Sequence, residues 1–406
     1  MLSQVSVKHK APALVRLYNF FLLILSKTHL IDCTINKNAF LKKLNDNTSL
    51  IIRNALSRFI DNVNTNDLNP ATQLFIKSEL NRSLSNRIKI ANILSNKPSL
   101  KENDFLDPIF IIGLPRTGTT ALQNIFSFLS DYRVLKLWEL HYPTSSLEGD
   151  LAIKKAKYQT NKYSFLQNFS KPEQKYIHPV GAEHPDECFR LLFNSFTSIA
   201  ISSALGLDDY EKWILEIDMV HTYEEYKKQL RILSQKSLKK HLVLKAPEHL
   251  WHLDSLLQVF PKARIIMTHR DPLKSIASYA SMISMFRRTA YKKSNFEELG
   301  QYVASVFEKG LSKVCLLRKD KTLEDRIVDV HCNDIKNNPV KVLMTIDKVL
   351  KTNIKNKDLN NLNKRFNDQL LDYNCKHNYS YSNYGINKKL IEKKFEFYNH
   401  RKYMML

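Results

Sequence analysis

The chain has 406 residues, 43% of them hydrophobic and 10% aromatic, enough for a sizeable core in one large domain or two smaller ones. Eight glycines and thirteen prolines exclude a collagen-like or low-complexity chain. The formal charge of +22 invites a nucleic-acid reading, but lysine is spread along the whole chain rather than massed in one tract. A basic surface also suits an enzyme whose substrate carries several negative charges.

Residues 1–103 read as a helical N-terminal segment. Near its start, Phe20–Leu25 is an unbroken apolar run behind a basic flank, too short to cross about 30 Å of hydrocarbon. No small-residue cleavage site follows it. It reads as an amphipathic or buried helix, with peripheral membrane contact as the alternative. Ala71 to Leu94 has apolar residues at helical spacing, and Pro98 with the polar stretch to Asn103 breaks the pattern.

From Phe105 the texture changes. The apolar run Pro108–Ile112 enters a Gly-rich turn and then a helix-like segment, Thr119–Leu129. A second strand is expected at His241–Ala246, followed by Leu250, Leu253, Leu256, Leu257 and Phe260 on one helical face. A third, Ala263–Thr268, ends in His269-Arg270 and leads into a helix from Pro272. A fourth, Arg326–Val330, precedes Pro339 and a helix to about Leu350. Short apolar runs alternating with helices predict an α/β fold, a P-loop-like parallel sheet flanked by helices, with helical insertions over 140–235 capping it. The expected division is therefore 1–103, an α/β domain over 104–370, and a tail, 371–406, rich in Tyr, Asn and Lys, that no pattern places. Five cysteines (Cys33, Cys188, Cys315, Cys332, Cys375) lie far apart without a C-x-x-C pair, which fits reduced thiols in the cytoplasm rather than disulfides or a zinc site.

The strongest motif is Gly113-Leu-Pro115-Arg116-Thr117-Gly118-Thr119-Thr120. Its two glycines have the G-x-x-x-x-G spacing between a strand and a helix, a turn that aims backbone N–H groups and the helix's positive end at an anion. A nucleotide phosphate is the natural ligand. A Walker A loop continues with Lys and then Ser or Thr for magnesium. Here Thr119 stands at the Lys position and the cation comes earlier, as Arg116, which argues against an ordinary ATPase.

Pro-Arg-Thr-Gly-Thr-Thr resembles the 5′-phosphosulfate-binding loop of sulfotransferases. The resemblance covers roughly Phe105 to Leu350 and is closest to the bacterial-type members. It implies 3′-phosphoadenosine 5′-phosphosulfate (PAPS) as donor, bisphosphoadenosine (PAP) as product, and no metal. It also implies that Arg270, at a strand end, and Ser278, eight residues on, clamp the donor's 3′-phosphate. A guanidinium fork and a helical hydroxyl suit that task. Lys245, in Leu-Lys-Ala-Pro, matches a lysine implied to contact the transferring sulfuryl. The cofactor-binding set is thus Pro115, Arg116, Thr117, Gly118, Thr119, Thr120, Arg270 and Ser278, and Arg116 and Lys245 are also expected to act in catalysis.

The acceptor must lose a proton as it is sulfated. Glu139, 23 residues after Arg116, stands where several relatives carry the base and is the first choice. The cluster His178-Pro-Val-Gly-Ala-Glu183-His184-Pro-Asp186-Glu187-Cys188 reads as acceptor-side wall, with Glu183 and His184 as reserve bases. It lacks H-E-x-x-H or facial-triad spacing for a metal. The acceptor itself, a small molecule, glycan or lipid, is not legible. Two rivals stand beside this reading: a P-loop kinase or NTPase, and a non-catalytic basic protein binding nucleic acid or membrane.

Overall fold

The structure, a computed structural model, describes residues 3–102, 107–291, 295–360, 362 and 375–399. Its strands are β1 Ser3–Ser6, β2 Ile109–Gly113, β3 Tyr132–Val134, β4 His241–Lys245, β5 Arg264–His269, β6 Ile327–His331 and β7 Cys375–Asn378. Strand β2 has no polar side chain and every residue of it is buried, so it belongs in the middle of a sheet covered on both faces. Five strands lie in the order β3–β4–β2–β5–β6 with every pair parallel.

The side-chain period of two divides each strand between two cores. Phe110, Ile112, Leu242, Leu244, Ile265 and Met267 join one apolar cluster. Ile109, Ile111, Val243, Ile266 and Val328 join another on the opposite face. The second face is closed by Leu122, Ile125 and Phe126 of the helix Thr119–Ser127 and by Val342, Leu343 and Ile346 of Pro339–Leu350. The first and larger core takes in Leu56, Phe59 and Ile60 of Leu50–Thr65 and Ile76, Leu80 and Leu84 of Pro70–Asn96. It also receives Ile276, Ala280 and Ile283 of Pro272–Ala290.

Chain order reverses at β2. The chain leaves β2 for β3 and β4 on one side, then returns to β5 and β6 on the other. Such a switch opens a crevice at the carboxyl ends of the strands, where parallel sheets place ligands. The loop after β2 occupies that position.

The two ends of the chain meet. Strand β7 pairs in parallel with β1, Ser3 opposite Cys375 through Ser6 opposite Asn378. Tyr384, Ile391, Phe395 and Tyr398 are at most 2% exposed within the larger core. Burying four such side chains contributes about 6–12 kcal/mol, comparable to the whole net stability of a typical domain. A chain ending at residue 374 is therefore expected to lose its near-UV circular dichroism and its cooperative thermal transition. An unchanged melting midpoint would show that these residues are dispensable.

Candidate active site

The anion loop is shaped by three backbone positions in the left-handed region. Gly113 has φ +137°, and a Cβ there would lie 2.5 Å from the Thr268 carbonyl oxygen of β5. Gly118 has φ +90° and starts the helix Thr119–Ser127. Between them Arg116 has φ +70°, which a non-glycine residue adopts at a cost of about 1–3 kcal/mol.

That strain is held by the side chains the sequence singled out. Arg270 Nη1 donates to the Arg116 carbonyl at 2.9 Å. Arg116 Nε donates to Ser278 Oγ at 3.2 Å, and its Nη1 donates to the Ile177 carbonyl at 3.1 Å. The Thr117 hydroxyl donates to the Leu114 carbonyl at 2.6 Å and lies 2.6 Å from Thr268 Oγ1, locking the loop to β5. Arg270 and Ser278, at the end of β5 and in the next helix, are thus bonded through Arg116 to the loop after β2.

Pro115, Arg116, Gly118, Thr119, Thr120 and Arg270 all line one cavity of about 1260 Å³. Thr117 and Ser278 are buried behind it as ties. Lys245 ends β4 with its side chain fully buried; its Nζ lies 2.8 Å from Glu187 Oε1 and 3.3 Å from Thr120 Oγ1 in the first turn of the loop helix. The backbone repeats the link, since Cys188 N–H donates to the Lys245 carbonyl at 2.9 Å. Lys245 therefore brings Glu187, which lines the cavity, beside the anion loop.

Electrostatics favour a polyanion here. Burial, and then the neighbouring Arg270 charge, pull the Arg116 guanidinium down to about 10, with Glu187 opposing. An anion spanning both guanidiniums would stabilise the charged form of Arg116 and relieve their repulsion. The residues present fit a nucleotide that carries charge at two separate places. Among the described residues, no group of three or more His, Cys, Asp and Glu gathers in a metal-binding arrangement.

The expected bases lie elsewhere. Glu139 accepts the Lys136 N–H at 2.9 Å with one oxygen, capping its own helix, and pairs with Arg133 of β3 through the other, and it does not line the cavity. Glu183 is half-exposed between Lys136 and Lys157, the latter at 2.7 Å, and neither it nor His184 lines the cavity. By sequence Glu187 belongs only to the expected acceptor-side wall. No local pattern marks it, because its partner Lys245 is 58 residues away in sequence.

Beyond the loop the cavity is walled by Phe75, Ile199, Met282, Ile283, Phe286 and Phe307. Polar groups interrupt this surface, among them Glu79, Arg82, Lys171 and Arg190 and the carboxyls of Glu211 and Glu248. Burial pushes both Glu211 and Glu248 up to about 8. Glu248 accepts hydrogen bonds from Ser198 Oγ at 2.9 Å and from the Ala200 N–H at 2.8 Å.

Sequence comparison matches residues 108–354 to the profile described as the sulfotransferase family. Omega-hydroxy-beta-dihydromenaquinone-9 sulfotransferase Stf3 of Mycobacterium bovis and of Mycobacterium tuberculosis is 26% identical over 213 residues, 49% of this chain and 51% of that protein. The match thus spans about half the length of these curated relatives. In three dimensions the chain is similar to sulfotransferase STF1 from Mycobacterium tuberculosis, with TM-score 0.76, 21% identity, and coverage of 89% of this chain and 98% of that one. It is also similar to sulfotransferase STF9 from Mycobacterium avium, with TM-score 0.77, 21% identity, and coverage of 90% and 96%.

Two predictions arise from the geometry. Gly113→Ala must shift the Thr268 carbonyl, and is expected to lower the urea midpoint by the equivalent of about 1–3 kcal/mol and to weaken anion binding at the loop. A midpoint equal to the parent's would show that β2 and β5 can move apart freely. Glu248, with its folded pKa raised from 4.5 to about 8, binds more protons folded than unfolded across that window. Its contribution is full below about pH 4.5 and is lost as pH rises towards 8. Glu248→Gln should flatten that part of the stability–pH curve, read from urea midpoints between pH 5 and 8.

Proposed function

The chain belongs to the sulfotransferase family, and on that premise we propose that it transfers a sulfuryl group from PAPS to a hydroxyl or amine of an apolar, lipid-like acceptor. The observation that carries this reading is the bridge Arg270–Arg116–Ser278, which joins the anion loop to the end of β5 at one cavity. A single nucleotide with phosphate on both sides of its ribose is what such a bridge would hold. The kinase alternative lacks a lysine at the Walker position, where Thr119 stands.

When bound, the donor supplies an activated sulfuryl group, whose bond to the phosphate oxygen breaks as the acceptor's oxygen or nitrogen bonds to sulfur. The chain's own groups are placed to assist. Backbone N–H groups of the loop and the first turn of Thr119–Ser127 would hold the 5′ end of the ligand and Arg270 the 3′ end, with Ser278 tying Arg116 in place from behind. Lys245 offers a buried positive charge beside the loop, where the leaving phosphate gains negative charge. The base role passes from Glu139 to Glu187. Its carboxylate lines the cavity next to Lys245 and accepts the acceptor's proton.

The apolar wall beyond the loop favours a lipid-like acceptor over a glycan, which would need many hydrogen-bonding partners. The relatives named for omega-hydroxy-beta-dihydromenaquinone-9 support the same class. Cys33, Cys188 and Cys332 are thiols, which fits a reducing compartment such as the cytoplasm.

Thermal shift with bisphosphoadenosine against ATP and magnesium is the direct test. The bisphosphate should raise the melting temperature more; a larger rise with ATP would favour the kinase reading. Arg270→Ala should weaken bisphosphonucleoside binding by about tenfold to a hundredfold. Glu187→Gln should leave that binding within a few-fold and lower turnover by about a hundredfold or more. Full turnover in Glu187→Gln would remove Glu187 from the mechanism.

A further inference from the structure

The helix Ala13–Lys27 is apolar on its exposed side as well as on its buried one, where Val15 and Leu22 pack. Its buried stripe contains a polar residue, Asn19, while Leu14, Leu17, Tyr18, Phe20, Phe21 and Ile24 are exposed. A second helix, Asp150–Ser170, does the same with Leu151, Tyr158, Phe165, Leu166 and Phe169. Large exposed apolar patches mark interaction sites, whereas scattered single residues do not.

These two helices are neighbours on one scaffold. Asn19 Oδ1 accepts the Ala71 N–H at 3.2 Å, and Tyr163 meets Phe75 with ring centroids 6.0 Å apart. Ala71 and Phe75 lie one turn apart at the start of Pro70–Asn96, and both line the cavity. Tyr18, Leu166 and Phe169 are 56%, 51% and 49% exposed, yet they too line the cavity. Residues that face solvent and cavity at once mark its mouth, so both apolar helices stand at that mouth.

The charge around the patch is mainly positive. Arg16 and Lys27 on the first helix, and Lys154, Lys155 and Lys162 on the second, are exposed, and Lys175 follows shortly after. The sole acidic residue in either helix is Asp150, at the first position of the second. Apolar side chains flanked by lysine and arginine are the composition of a helix that lies in the headgroup region of an anionic bilayer. Among the described residues, no helix is long and apolar enough to cross a membrane.

We propose that the cavity mouth, rimmed by Ala13–Lys27 and Asp150–Ser170, docks on an anionic lipid bilayer and admits the acceptor directly from it. The proposal rests on the transfer reading above for what the cavity does, and adds where its acceptor comes from. An apolar acceptor enters without crossing water, while the donor's polar end is held at the anion loop.

Co-sedimentation of the full chain with vesicles of phosphatidylcholine containing about 30 mol% phosphatidylglycerol tests it. Phe21 and Phe165 are exposed and do not line the cavity, so Phe21→Glu with Phe165→Glu should fold normally. That pair should weaken vesicle binding by about tenfold or more. Lys154→Glu with Lys155→Glu should also weaken it and reduce its salt dependence. Both should keep the bisphosphoadenosine thermal shift. The proposal is overturned if the parent stays in the supernatant, if both pairs sediment like the parent, or if the parent is a dimer that Phe21→Glu with Phe165→Glu dissociates. Loss of the bisphosphoadenosine shift in a parent that still binds vesicles would instead sink the transfer reading and leave the docking face standing.

Discussion

A buried guanidinium beside a second guanidinium is unfavourable twice, through lost hydration and through repulsion, and Arg116 and Arg270 form such a pair. Arg116 adds a third cost by standing in the left-handed backbone region. Packing does not require any of these, and each is offset by directed hydrogen bonds from β5 and the helix that follows it. Strain of this kind persists where the surroundings over-determine it, and the sheet supplies those surroundings. The arrangement makes sense once an anion is the intended third member, since negative charge opposes both electrostatic costs and leaves the loop's shape already set.

The sheet order explains why the pieces arrive together. Strands β2, β4 and β5 are adjacent, and their carboxyl ends carry the anion loop, Lys245 and Arg270. The loop lies more than a hundred residues before Lys245 and Arg270 in sequence, yet all three become neighbours because parallel strands deliver their ends to one edge. The close approach of β2 to β5 at Gly113 and Thr268 then fixes the loop's height over that edge. Thr117, bonded to both Leu114 and Thr268, converts strand packing into loop geometry.

This division governs what could be read from the sequence. The strands at 109–113, 241–245, 264–269 and 327–331 were legible because each is a short apolar run ending in a turn or a charge. The loop was legible because its glycines have a fixed spacing, and Arg270 and Ser278 because they keep a local interval of eight. Strand β3 was legible only in part, as a strand-like stretch at Arg133–Leu137, because three residues with a partly exposed pattern offer little periodicity and a helix begins at Leu137. The tail has none, because β7 owes its existence to a partner strand at the opposite end of the chain. Glu139 illustrates the same limit from the other side. Sequence position suggested a base, but Arg133 and the Lys136 N–H engage its carboxylate, and such local capping is as natural a use for a first-turn glutamate. Glu187 was hidden because its meaning comes from Lys245, on a different strand.

The two ends of the cavity differ in what they ask of a ligand. The loop end is cationic and rich in hydrogen-bond donors, whereas the rest is mainly aromatic and aliphatic, with polar groups such as Glu79, Arg82, Lys171 and Arg190 set into it and Glu211 and Glu248 held largely neutral by burial. A low-dielectric wall next to a charged loop strengthens every interaction made there and excludes the water that would compete as acceptor. On the proposed reading, this difference in polarity would seat a charged nucleotide at the loop end and an apolar acceptor at the other, with Glu187, paired to Lys245, beside the loop.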